Sequence, residues 1–428
     1  MLGAIAVPLD FFLAEEEVAA FLNHAEPRVL ITTSRGRINV GRLAARASSR
    51  LRLVTVDNDP RLSSDFWGLL PRDPSGLNEI PLSEDDLAAI FYTSGSTGRP
   101  KGALWNRRHL HLGADAAQEA IGIDETFKSL AAIPFSHSAG ILYPALAVRY
   151  GMQFVIQERF SPMEFVRCIE RRKITNIWLV PSMFYAILTL KGLESCDLTS
   201  LRWVDFFGAP SDPEVIRRFK KLCPQAKLTN GWGMTETAPP LTVSDPDDVA
   251  SVGKVRSRAE VRIVDLEDRG RPMGEVGEIA VRGEAVCLGY YREPELTAQV
   301  FRNGWLHTGD LGRFDEKGNL YIVGRIKDVI KVAGEIVVAS EIELVLLRHP
   351  CVMEAAVIGV PDPLRGQSPK AFVVLKEGAA ASREELASYC RKSLAHFKIP
   401  RVFEFRKSLP KTGPGKIDKL SLAGETGE

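Results

Sequence analysis

A chain of 428 residues is longer than one domain ordinarily runs, so two or more are expected. It is 45% hydrophobic and 25% charged with a net charge of +1, which is ordinary globular composition without the basic excess or basic blocks that nucleic-acid binding needs. The six cysteines (Cys168, Cys196, Cys223, Cys287, Cys351 and Cys390) form no C-x-x-C pair, so the expectation is reduced thiols in a cytoplasmic protein, neither a disulfide framework nor a zinc site.

Residues 4–9 read as the end of a strand. The opening MLGAIAVPLDFFLA has no basic lead and runs through Asp10 into Glu15, Glu16 and Glu17, which excludes a signal peptide. No stretch of eighteen uncharged apolar residues exists, so no membrane span is predicted. Residues 14–25 carry Val18, Phe21 and Leu22 on one helical stripe. Strands follow over 28–31 and 51–56, with a helix over 40–47 between them. The apolar run 87–92 is short enough for a buried strand. Helices are predicted over 107–121, 160–171 and 212–222, and one opens at Pro181, a favoured first position. They alternate with strands over 130–133, 152–156, 176–180 and 201–206, a pattern that predicts an α/β fold of parallel sheets wrapped by helices. Beyond Val261 the strands become short and glycine-punctuated, as in a small β-rich subdomain. A boundary at 324–328 divides a large domain, 1–326, from a small α+β domain, 327–428. The latter has helices over 341–348 and 383–394 and strands over 355–360 and 371–375.

Chemistry concentrates in four places. After the strand 87–92 come Thr93, Ser94, Gly95, Ser96, Thr97, Gly98, Pro100, Lys101 and Gly102. Glycines let the backbone approach a ligand, successive amides and hydroxyls cradle an anion, and the lysine adds a point charge, so this loop is suited to phosphate. The Walker A spacing cannot be laid over it. Residues 230–237, NGWGMTET, offer hydroxyls, a flat face at Trp232 for a purine, and a hard oxygen at Glu236 suited to Mg²⁺ on a nucleotide. Residues 304–312, GWLHTGDLG, set Asp310 where a carboxylate can accept from both hydroxyls of a ribose. Residues 409–419, LPKTGPGKIDK, carry three lysines on a Gly/Pro-rich loop. Taken singly, these are also a polar turn, a capping threonine, a turn aspartate and a solvated tail. His109 and His111 have no third partner for a metal and read as surface helix residues.

Taken together and in this order, YTSGSTGRPKGA, FGAP, NGWGMTET, GWLHTGD, the arginine of GRIKD and PKTGPGK resemble the motifs of the adenylate-forming superfamily, which includes acyl-CoA synthetases, adenylation domains of peptide synthetases and firefly-type luciferases. The resemblance runs over residues 3–419 and implies a mobile C-terminal domain. It implies that Thr93, Ser94, Gly95, Ser96, Thr97, Gly98 and Lys101 hold the β- and γ-phosphates of ATP. Gly208, Ala209 and Pro210 would border adenine, with Phe207 standing where the family has a glycine, and Trp232 would pack on adenine. Thr235 would touch phosphate, Glu236 would bind Mg²⁺, and Asp310 and Arg325 would hold ribose. Lys327 falls at the hinge position. Gly334 and Glu335 fall in the segment that lines the pantetheine tunnel of coenzyme A, and Lys416 is the implied catalytic lysine. His137, in PFSHSAG, matches a gate beside the acyl pocket.

The implied reaction is activation of a small-molecule carboxylic acid by ATP to acyl-adenylate and pyrophosphate, then transfer to coenzyme A with release of AMP. Residues 131–141 contain no Asp or Glu to pair with an amino acid's ammonium, and WGMTET and GKIDK resemble synthetases for medium- or long-chain fatty acids. A ligase loading a carrier protein, a luciferase-like oxygenase and a non-catalytic nucleotide-binding remnant stand as alternatives, and a homodimer is left open. Residues 3–9 resemble a segment that lies well inside the family's large domain, so a truncated N-terminus is expected.

Overall fold

The computed structural model describes residues 3–11, 13–33, 42–43, 51–57, 66–69, 80–93, 101–208, 213–256, 258–411 and 417–425. At its centre is a seven-stranded sheet in the order Lys254–Val255, Thr242–Val243, Lys227–Trp232, Trp203–Phe207, Asn176–Leu179, Lys128–Ala131, Gln153–Ile156. The five strands from Lys227–Trp232 onward are parallel, and the first two run antiparallel at one edge. A parallel strand covered on both faces has no polar side to show, and all four residues of Asn176–Leu179 are buried. Helices Pro162–Arg172, Pro181–Leu188 and Pro213–Leu222 cover one face, where Phe165, Ile169, Phe184 and Phe219 meet Ile177, Leu179, Val204 and Phe206. Helices His109–Ile121 and Leu142–Tyr150 cover the other, with Ala117, Tyr143 and Leu146 against Trp178 and Trp203.

Three segments depart from the sequence expectation. Lys227–Trp232, expected to run into a glycine-rich turn, is a central strand, because register with Trp203–Phe207 extends it through Gly231. Lys101–Asn106 is also a strand. It pairs antiparallel with Leu87–Thr93, and Thr93 stands opposite Lys101. Third, His109 is a buried residue, not a surface one. Its ring meets the Asn106 side chain and, at 3.0 Å, the Val286 carbonyl. Burial lowers its basicity, so it is a packed, neutral ring. The helix expected over 40–47 lies mostly outside the described residues.

Ala259–Val264, Gly277–Gly283, Trp305–Phe314, Leu320–Arg325 and Phe301–Arg302 form an antiparallel sheet. Its Ile263, Ile279, Val281 and Leu320 pack with Trp232 and Leu241, which ties it to the central sheet. A single 3-10 turn, Ile326–Asp328, leads to a last sheet of Val329–Val332, Glu335–Val338, Val352–Asp362, Gly366–Leu375 and Val402–Phe405. Helices Ala339–Leu347 and Arg383–Arg391 close its core, the second ending three residues short of the expected 394. The hairpin at its start was not legible as strands. It is closed by Ala333 and Gly334, at φ 50° and 90°, the left-handed pair that a two-residue hairpin turn demands. Across the 3-10 turn, the Ser340 hydroxyl donates to the Val323 carbonyl at 2.8 Å. No helix among the described residues is long and apolar enough to cross a membrane.

Candidate functional site

The carboxyl ends of the parallel strands gather the motifs that the sequence spreads over a hundred residues, which is where open α/β sheets hold ligands. Asn176–Leu179 leads to Pro181, and Trp203–Phe207 leads to Gly208 at φ 90°. Lys227–Trp232 leads to Gly233 and the single turn Thr235–Thr237. Lys128–Ala131 leads to the turn holding His137. In that turn the His137 amide donates to the Pro134 carbonyl at 3.0 Å and the Gly140 amide to the His137 carbonyl at 2.8 Å. A Cβ at position 140 would lie 2.1 Å from the Pro134 oxygen, so only glycine lets the turn close. The His137 ring is then 3.7 Å from the Asp10 carboxylate, and the Ser138 hydroxyl lies 3.2 Å from that of Thr235.

Glu236 is 6% exposed, a rare situation for a carboxylate. Its backbone is pinned by neighbours, since the Trp105 indole donates to the Thr235 carbonyl at 2.8 Å and the Cys287 amide to the Glu236 carbonyl at 2.8 Å. The Tyr290 hydroxyl donates to Glu236 Oε1 at 2.7 Å, and Lys101 Nζ stands 5.5 Å from the centre of the Tyr290 ring. Burial pushes the Glu236 carboxyl above its usual range, while the Tyr290 hydrogen bond and the charges of Lys101 and Arg325 pull it back. Burial and the adjacent carboxylate both push the Tyr290 phenol up, so it stays a donor.

The other half of the site is built on one strand pair. Asp310 and Arg325 are cross-strand partners, and Arg325 Nε meets Asp310 Oδ1 at 2.8 Å. The Trp232 indole donates to Asp310 Oδ2 at 2.9 Å. Asp310 is thereby buried with both oxygens engaged, one by a cation and one by a neutral donor.

Lys101, Tyr290 and Glu236 thus form one contacting group, which His137 approaches through its neighbour Ser138 on Thr235, while Trp232, Asp310 and Arg325 form a second whose arginine charge reaches Glu236. Lys327 lies in the 3-10 turn two residues beyond Arg325, and Gly334 and Glu335 lie in the hairpin after it. Ser94, Gly95, Ser96, Thr97, Gly98, Ala209, Pro210 and Lys416 lie outside the described residues. Tyr290 and Asp10 were missed in the sequence, because neither sits in a motif with periodicity or spacing of its own. No group of three or more His, Cys, Asp or Glu that could hold a metal gathers among the described residues. A nucleotide-borne Mg²⁺ needs only one or two carboxylates beside phosphate and water. Glu236 fits that need, because among the described residues its second oxygen accepts no hydrogen bond from another residue.

Two family models match the chain: AMP-binding enzyme over residues 1–291, and AMP-binding enzyme C-terminal domain over residues 341–416. A feruloyl-CoA synthase from Amycolatopsis sp is 34% identical over 432 aligned residues, covering 97% of this chain and 83% of that protein. A long-chain-fatty-acid–CoA ligase from Bacillus subtilis (strain 168) is 35% identical over 85% of this chain and 66% of that protein. The amide bond synthetase McbA from Marinactinospora thermotolerans superposes with a TM-score of 0.88 at 31% identity, over 99% of this chain and 85% of the other.

Proposed function

The chain belongs to the AMP-binding enzyme family, and from that premise we propose that it is an AMP-forming acid–CoA ligase. Substrate carboxylate attacks the α-phosphorus of ATP, the bond to the β-phosphate bridging oxygen breaks, and pyrophosphate leaves. The coenzyme A thiolate then attacks the acyl carbon and AMP departs. One observation carries the reading: a buried carboxylate, Glu236, held by the Tyr290 hydroxyl beside Lys101, also feels the charge of Arg325, the exposed cation that pairs with the buried Asp310.

In this reading Lys101 and the residues 93–98 receive the terminal phosphates, and Asp310 receives the ribose. Trp232 keeps Asp310 oriented. Glu236 would hold a Mg²⁺, which when bound neutralises phosphate charge. Lys416 supplies the cation at the α-phosphate, where charge grows in the transition state. After adenylation the C-terminal domain turns about Lys327, exchanging Lys416 for the Gly334 hairpin at the acyl-adenylate. The relatives act by name on ferulate and on long-chain fatty acids at nearly equal identity, so identity does not rank the acids. Fatty acids, favoured by the WGMTET and GKIDK wording, and aromatic acids both belong in the test.

That test couples pyrophosphate release to CoA consumption over a panel of carboxylic acids. The expected result is acid-dependent pyrophosphate together with acyl-CoA and AMP. ATP binding with no acid-dependent pyrophosphate would overturn the reading. The likeness to an amide bond synthetase supports a second acceptor, an amine, and an amide forming in place of the thioester would favour it.

A further inference from the structure

Asp205 is a buried carboxylate that the steps above do not employ. It sits on Trp203–Phe207, where Val204 and Phe206 enter the core beneath one layer of helices and Trp203 enters the opposite core. On that second face Asp205 stands in register between Trp178 and Thr229 of the flanking parallel strands. Its Oδ1 accepts the Thr229 hydroxyl at 2.6 Å, and the Thr229 oxygen accepts the Trp203 indole N–H at 2.9 Å. Its Oδ2 accepts no hydrogen bond from any described residue.

Asp205 is 5% exposed and borders a cavity of about 30 Å³ with Ala117, Leu142, Trp178, Phe207 and Trp232. Gly231 also lines this space. A Cβ there would approach Oδ2 to 3.6 Å, so the glycine leaves the ground before that oxygen open. Among the described residues no cation offsets the burial, which pushes the carboxyl up to about 7. Trp232 joins the two regions, with its ring on the cavity and its N–H on Asp310.

We propose that Asp205 is a specificity-determining acceptor in the acid-binding cavity, and that the preferred acid is a flat aromatic one whose ring carries a hydroxyl or amino donor for Oδ2. This rests on the ligase reading. Three of the walls are aromatic rings, which suit a planar guest, and since about 30 Å³ admits neither a ring nor an alkyl chain without the walls parting, the choice between them rests on those rings and on Oδ2. An alkyl chain or a bare ring would seal Oδ2 away from water without a donor, at a cost of about 1–3 kcal/mol. A site built to pair with a donor rejects the analogue that lacks it far better than an apolar site rejects one methylene.

The test measures kcat/KM for pyrophosphate release with para-hydroxycinnamate against cinnamate, meta-hydroxybenzoate and meta-aminobenzoate against benzoate, and hexanoate and dodecanoate. The wild-type enzyme should favour donor-bearing acids over their bare partners by roughly 10–100-fold, and the hydroxy and amino arms identify which donor is used. Asp205→Leu should abolish or invert that ratio, while Asp205→Asn, which keeps an acceptor oxygen, should retain most of it. Bare or aliphatic acids equalling the substituted ones overturns the inference, as does an unchanged ratio in Asp205→Leu. Should the leucine variant fail to fold, the wild-type and asparagine ratios decide. Turnover confined to aliphatic acids sinks this inference alone, whereas pyrophosphate from no acid at all sinks the ligase reading and this one with it.

Discussion

Two side chains with different proposed roles, Lys416 at the reacting phosphate and Asp205 in the acid cavity, each have their own measurable signature. Removing the cation by Lys416→Ala should slow adenylation by roughly 10²–10³-fold, as for loss of one preorganised donor in an oxyanion site. Thioester formation from supplied acyl-adenylate should be nearly unchanged. Single-turnover measurements of the two half-reactions read this directly, and an equal loss in both would refute the assignment. Asp205 has its signature in stability. Its carboxyl titrates near 7 in the folded protein against an ordinary value of 3.8, so the folded state holds the proton that the unfolded chain has released. The resulting stabilisation is whole below the ordinary value and is lost as pH rises through the folded one, on the order of 4 kcal/mol in all. Asp205→Asn does not titrate. Urea unfolding should therefore show the variant gaining on the wild type between about pH 5 and about pH 8. A difference constant across that range would contradict the buried, unpaired carboxylate.

At the scale of elements, the C-terminal sheet is locked by a lysine that the sequence left as part of a basic tail. Lys419 Nζ lies 2.8 Å from Glu343 on helix Ala339–Leu347 and 3.2 Å from Asp328 in the 3-10 turn. Glu343 Oε1 also accepts the Val357 amide. Lys419→Met would strand the Glu343 carboxylate, whose side chain is 15% exposed. The expected cost is about 2 kcal/mol, under the 3–5 kcal/mol of a fully buried pair. It should appear as a lowered urea midpoint for a transition followed by hydrogen exchange on Val352–Asp362, and an unmoved midpoint would show the triad to be ornamental.

This triad marks the limit of what could be read from the chain. Alternating apolar runs made the parallel strands legible, because a strand buried on both faces must be apolar throughout. Lys227–Trp232 and Lys101–Asn106 were not legible, since glycines and polar residues fill them and tertiary pairing decides their conformation. The same holds for the site. Glu236, Asp310 and Arg325 stood in recognisable spacing, while Tyr290, Asp10 and Asp205 take their surroundings from turns and strands distant in sequence.

At the scale of the whole molecule, the family's C-terminal model begins fifteen residues after Lys327's 3-10 turn has opened at Ile326, and the proposed rotation must pass through that turn. Lys327→Pro suits the φ of a helical turn yet removes its freedom. Adenylation should persist and the CoA step should fall. Rapid-quench analysis of acyl-adenylate accumulation would report it, and a CoA step at wild-type speed would place the pivot elsewhere.

Gly324, next to last in its strand, lies bare against the end of strand Glu335–Val338 and the start of helix Ala339–Leu347, for a Cβ there would reach within 2.2 Å of Val338 Cγ1, with Ser340 Oγ at 3.0 Å. The strand and the start of that helix therefore meet main chain to side chain. A single methyl group inserted at this seam would act as a doorstop, so if the proposed rotation parts Gly324 from Val338, Gly324→Ala should raise the energy of this orientation relative to the rotated one.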